Sequence, residues 1–66
     1  MQVIVNGSPR VFDPGITVAD VLASLGLDAG RTIVEYNRAV LPRDAFATTR
    51  LSEGDNLELV EIVGGG

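Results

Sequence analysis

Neither cysteine nor histidine occurs among the 66 residues of this chain. Nothing covalent and no Cys- or His-ligated metal can staple it: there is no disulfide and no iron–sulfur cluster. Whatever folds it must be a hydrophobic core. Surface scaling puts the fraction of surface buried on folding at about 60%, near the lower limit for a domain that folds alone. The chain therefore admits one small domain with one core.

The same absences bound function. Histidine is the commonest general base and the commonest metal ligand, and a chain this short cannot wall a deep pocket between two domains. We expect no catalytic residue, no bound metal and no free-standing enzyme. No apolar run approaches the ~18 residues that would span a membrane. Met1-Gln2-Val3-Ile4-Val5 lacks the basic and long apolar regions of a signal peptide. The expectation is a cytoplasmic protein, complete as written and monomeric when free.

Charge is unevenly placed. In residues 1–50, Arg10, Arg31, Arg38, Arg43 and Arg50 balance Asp13, Asp20, Asp28, Glu35 and Asp44. Residues 51–66 carry Glu53, Asp55, Glu58 and Glu61 with no cation, so the whole net charge of −4 sits there. Nucleic acid, which needs clustered cations, is not an expected partner. A protein with an electropositive surface near the C-terminus is, although an acidic last strand also simply aids solubility. Lysine is absent as well, so no side-chain amine can attack an activated acyl group.

Met1 to Asn6 reads as a β-branched strand, Asn6-Gly7 as a hairpin turn, and Arg10-Val11-Phe12 as the returning strand. Asp13-Pro14-Gly15 ends it. Thr17 is a good helix N-cap, and Asp20 completes a capping box. Val18, Val21, Leu22 and Leu25 make one apolar stripe, with Gly26 at the C′ position and Leu27 after it. Asp28-Ala29-Gly30 reads as loop and Thr32 to Tyr36 as a strand. Asn37-Arg38-Ala39 reads as a turn and Val40-Leu41 as a short extended pair. Pro42 to Phe46 reads as one helical turn, Thr48 to Leu51 as a short strand, and Glu53-Gly54-Asp55 as a tight turn. Asn56 to Val63 is the last strand.

That strand changes phase. Leu57 and Leu59 share one face, whereas Val60 and Ile62 fall on the other. Either a bulge intervenes, or the strand ends with exposed apolar residues suited to a partner. The order of elements predicts an α+β β-grasp: a mixed sheet packed on one main helix. That architecture, rather than the pattern, would make the first and last strands parallel neighbours at the sheet centre. We expect residues 1–63 to form the domain and residues 64–66 to be a flexible glycine tail.

Only the tail suggests chemistry. Three extended glycines reach roughly 10 Å beyond the last strand. Without Cβ atoms, Gly64 and Gly65 are thin enough for a narrow channel on a partner, and the Gly66 carboxyl carbon is unhindered. A merely frayed terminus is the alternative.

The sequence resembles the thiamine-biosynthesis sulfur carriers, the ThiS family, along its whole length, a resemblance that implies a ubiquitin-like form of the β-grasp. The likeness rests on Val5-Asn6-Gly7, Thr17-Val18-Ala19-Asp20-Val21-Leu22, Leu25-Gly26-Leu27 and Tyr36-Asn37. It continues in Val40-Leu41-Pro42-Arg43, Gly54-Asp55 and the terminal Gly65-Gly66. Phe46 departs from a common Trp. Tyr36 replaces a smaller aliphatic residue and is expected to add an exposed hydroxyl to the sheet.

The resemblance implies that a ubiquitin-activating-like adenylyltransferase, using ATP and Mg²⁺, joins AMP to the Gly66 carboxylate. A persulfide on a cysteine desulfurase or another donor would then give a Gly66 thiocarboxylate, and thiazole synthase would take its sulfur. The chain itself would bind no cofactor. Glu58, Glu61, Ile62 and Val63 are the expected docking residues, with Glu61 favoured because it lies nearer the glycines. Three other readings stay open. They are a carrier like the small subunit of molybdopterin synthase, a ubiquitin-like protein modifier, and an interaction module with an inert tail.

Overall fold

A computed structural model describes residues 1–63; Gly64, Gly65 and Gly66, and with them the expected tail and modification site, lie outside the described residues. Among these residues one sheet holds five strands: β1 (Gln2–Val5), β2 (Ser8–Val11), β3 (Thr32–Tyr36), β4 (Ala39–Leu41) and β5 (Asn56–Glu61). Their spatial order is β2-β1-β5-β3-β4. β1 and β5 are parallel, and every other pairing is antiparallel. One helix, α1 (Val18–Ser24), covers one face. This is the mixed sheet and single helix of a β-grasp, with β5 at the centre.

The β1–β2 hairpin follows from Asn6 and Gly7, whose positive φ values of 50° and 82° match the twist that a two-residue turn requires. The β3–β4 turn repeats this with Asn37 and Arg38, at φ 50° and 73°. Ala39, read from sequence as part of that turn, opposes Tyr36 and opens β4.

Helix α1 has the ends its sequence specifies. The Asp20 N–H donates to Thr17 Oγ1 and the Thr17 N–H donates to Asp20 Oδ2, both at 3.1 Å. At the other end Gly26 adopts φ 72°. The Leu27 N–H reaches Leu22 O at 2.9 Å and the Gly26 N–H reaches Ala23 O at 3.1 Å, a Schellman closure. Val18, Val21 and Leu22 are buried, and Leu25 only partly.

These three side chains pack on Val3 and Val5 of β1, Val34 of β3, and Leu57 and Leu59 of β5, with Phe46 and Leu51 closing the side. Thr32 is the buried polar residue, and its hydroxyl donates to Asp28 O at 2.7 Å. No helix among the described residues is long and apolar enough to cross a membrane.

Two local expectations change. Residues Thr48 to Leu51 do not form a strand; a single bridge links Arg50 to Thr17. The segment instead serves the start of α1, whose first N–H groups have no partner within the helix. Thr49 O accepts from Val18 N–H at 3.0 Å, and the preceding Phe46 O from Ala19 N–H at 2.9 Å. Asp28 to Gly30 is not plain loop: Ala29–Arg31 makes a 3-10 turn whose Gly30 N–H donates to Asp28 Oδ1 at 2.8 Å. Pro42 precedes a second 3-10 turn, Arg43–Ala45, as its helix-start geometry suggests. Finally, the phase change in β5 needs no bulge. The register with β3 runs unbroken from Tyr36↔Leu57 to Thr32↔Glu61.

Candidate functional site

An unbroken register sends successive β5 side chains to opposite faces. Leu57 and Leu59 enter the core, while Glu58 and Val60 stand on the face that α1 leaves open. The Ile62 N–H donates to Arg31 O at 2.7 Å and carries the pairing one residue past β5. Ile62 therefore continues the open-face series. Val60 is 59% exposed, Ile62 47% and Val63 89%, the second of the two outcomes that the phase change allows.

The open face extends sideways. Ile33 lies opposite Val60, and Val40 lies opposite Glu35. Both are exposed, and Ile4 on β1 is partly so. Ile33, Val60 and Ile62, with Val40 diagonal to Ile33, thus form an apolar group beside the strand that leads toward the C-terminus, while Ile4 is set apart opposite Asn56. Single exposed apolar residues are ordinary, but a contiguous group marks an interaction surface.

The expected docking residues divide between two faces. Glu58 and Ile62 belong to the open face, Glu61 has the parity of Leu57 and Leu59 and lies opposite Thr32, and Val63 stands exposed beyond the strand. Glu61 is exposed there because it stands past the end of the buried core. Sequence reasoning missed Ile33, Val40 and Ile4. Ile33 adjoins the equally apolar Val34, so alternation alone does not say which of them is buried.

The other end of β5 is clamped. Asp55 Oδ2 accepts from Tyr36 Oη at 2.8 Å and from the Ser52 N–H at 2.7 Å, while Oδ1 accepts from Asn37 Nδ2 at 3.2 Å. Burial pushes the Asp55 carboxyl up, but these three hydrogen bonds outweigh it and hold the group below its ordinary value. The bond to Asp55 pushes the Tyr36 phenol up, aided by burial and by the neighbouring negative charge. The Tyr36 hydroxyl is therefore not the free surface group expected from sequence. Asn56 N–H and Asn37 Oδ1 add a further tie at 2.8 Å.

This arrangement offers a surface rather than a reaction chamber. No pocket opens among the described residues, and none of their acidic groups cluster as a metal site. A rigid central strand, fixed at its start by Asp55, delivers its last residues beside an apolar face.

Comparison with known proteins agrees along the whole chain. The model of the ThiS family matches residues 3–66. A thiazole synthase of Paramagnetospirillum magneticum is 36% identical over all of this chain, which corresponds to 20% of that protein. The chain thus spans about one fifth of the length of the thiazole synthases it matches. The sulfur carrier protein ThiS of Bacillus subtilis is 36% identical over 50 residues, 76% of each chain. Among solved structures, the thiamine biosynthesis protein ThiS from Geobacter metallireducens superposes with a TM-score of 0.84, at 36% identity and with full coverage of both chains.

Proposed function

The chain belongs to the ThiS family, and we propose that it is a sulfur carrier for thiazole formation in thiamine biosynthesis, with Gly66 as the carrying residue. A partner adenylyltransferase uses ATP and Mg²⁺ to join AMP to the Gly66 carboxylate and releases pyrophosphate. The terminal sulfur of a protein persulfide then attacks the activated carbonyl, and AMP leaves. A thiol cleaves the sulfur–sulfur bond of the resulting acyl disulfide. It releases the thiocarboxylate and becomes part of a disulfide itself. Thiazole synthase is the recipient. Support for that step comes from relatives in which a segment like this chain makes up a fifth of a thiazole synthase.

The observation that carries the reading is the course of β5. It leaves the sheet centre toward a terminus of three glycines, beside an apolar face free to dock on the activating enzyme. Composition supports it too: without cysteine, the chain can hold reactive sulfur only at its carboxyl end. Intact mass spectrometry of the protein from its native host tests it. The expected result is a species in which one sulfur replaces one oxygen, with fragmentation placing the change at Gly66 rather than as oxidation of Met1. Gly66 joined instead through an isopeptide bond to other proteins would overturn the carrier reading in favour of a modifier.

A further inference from the structure

Glu35 and Glu58 oppose each other directly across the antiparallel β3–β5 ladder. Both lie exposed on the open face. Like charges in that relation weaken strand pairing. On one side of them the face is apolar, with Val40 beside Glu35 and Ile33 and Val60 one same-face step along, whereas the step the other way along β5 reaches Asn56. Four of the chain's five arginines are placed elsewhere, and the fifth, Arg38, sits in the β3–β4 turn three residues along the chain from Glu35. Arg10, which lies within β2, opposes the buried Val3 and so belongs to the helix side of the sheet. Arg31 falls opposite Ile62, two same-face steps from Glu35, roughly 13 Å along the strand. Arg43 and Arg50 are engaged with the carbonyls of Ala29 and Gly15.

We propose that the Glu35–Glu58 pair is the specificity element of the docking face. A partner's arginine or lysine seats between the two carboxylates while Ile33, Val40 and Val60 pack against apolar residues around it. The proposal rests on the carrier reading and takes the adenylyltransferase as that partner. The occupant follows from charge. A second copy of this chain would set four carboxylates face to face on molecules each carrying −4, and nucleic acid would meet the same repulsion. Once apolar contacts exclude water, a partner without a cation here leaves two carboxylates desolvated and unpaired, so the pair rejects wrong partners as well as attracting the right one.

This arrangement has an unusual signature. Removing either charge relieves the free domain yet harms the complex. The test uses the full chain and the adenylyltransferase of the same organism. Glu35→Gln, Glu58→Gln and the double variant are compared with Val60→Ser, which probes the face without changing its charge. Melting temperature and association rate are measured at several salt concentrations. We expect the Gln variants to melt at or above the parent temperature. The double variant should associate about tenfold more slowly, with a flatter salt dependence. Val60→Ser should weaken the complex and keep the parent's salt slope.

Gln variants that associate like the parent, beside a weakened Val60→Ser, would overturn the role of the pair and leave the docking face standing. Melting temperatures below the parent's would remove the repulsion on which it rests. Parent-like binding by Val60→Ser as well would take the face with it. Failure of the unaltered chain to bind the adenylyltransferase at all would instead sink the carrier reading.

Discussion

Asp55 shows how much one residue can settle in so small a chain. Its carboxylate ties the turn before β5 to the end of β3 through Ser52, Tyr36 and Asn37. Hydrogen bonds to a charged group are each worth more than neutral ones, about 1.5–3 kcal/mol. We expect Asp55→Ala to cost about 2 kcal/mol at neutral pH, measured by urea denaturation. Because the carboxyl is held below its ordinary value of 3.8, its contribution is present above that pH and is lost as the pH falls through the lower folded value. The stability gap between parent and variant should therefore close in acid. The Tyr36 phenol has the opposite sign. It is raised above 10.0, so its share is complete below that pH and is lost as the solution becomes more alkaline. Tyr36→Phe should remove that alkaline loss. A gap that stays constant across both limits would contradict the clamp. None of this network was legible from the sequence, where Asp55 read only as part of a tight turn. Tyr36 and Asp55 meet because β5 returns beside β3, a contact between residues 19 positions apart.

Elements divide the same way. Helix α1 was legible in full, because its cap, stripe and stop are all written within eleven residues, Thr17 to Leu27, and act on one another locally. Leu22, 1% exposed at the centre of the core, carries its test. Leu22→Ala should destabilise the domain by about 2–5 kcal/mol, read from chemical denaturation, and a loss near zero would mean that the helix faces another way. The Asn6-Gly7 hairpin was equally local. Thr48 to Leu51 was misread because two threonines and a leucine suit a strand, while the demand that shapes them comes from unpaired N–H groups at the start of a helix 30 residues earlier. The candidate site was half legible. Glu58, Val60 and Ile62 follow from alternation along β5. Ile33 and Val40 join them only through the order of strands, which no single segment encodes.

Across the whole molecule, the residues that hold the fold together end before the proposed carrying group. The buried apolar core runs from Val3 to Leu59, and the pairing of β5 ends with the Ile62 N–H. Deleting Gly66 should therefore leave the thermal melt unchanged while abolishing ATP–pyrophosphate exchange with the adenylyltransferase. A lowered melting temperature would give the terminal glycine a structural role and count against it as a carrying group. The central position of β5 has a mechanical consequence. A terminus drawn into the channel of another protein transmits force back along the strand from which it emerges. An edge strand pulled sideways from a sheet opens one hydrogen bond at a time, like a zipper. β5 is held by β1 on one side and β3 on the other, and traction along its axis strains both ladders together. The sheet thus resists in shear, and an enzyme can grip and release the end of this chain without peeling away the strand that presents it.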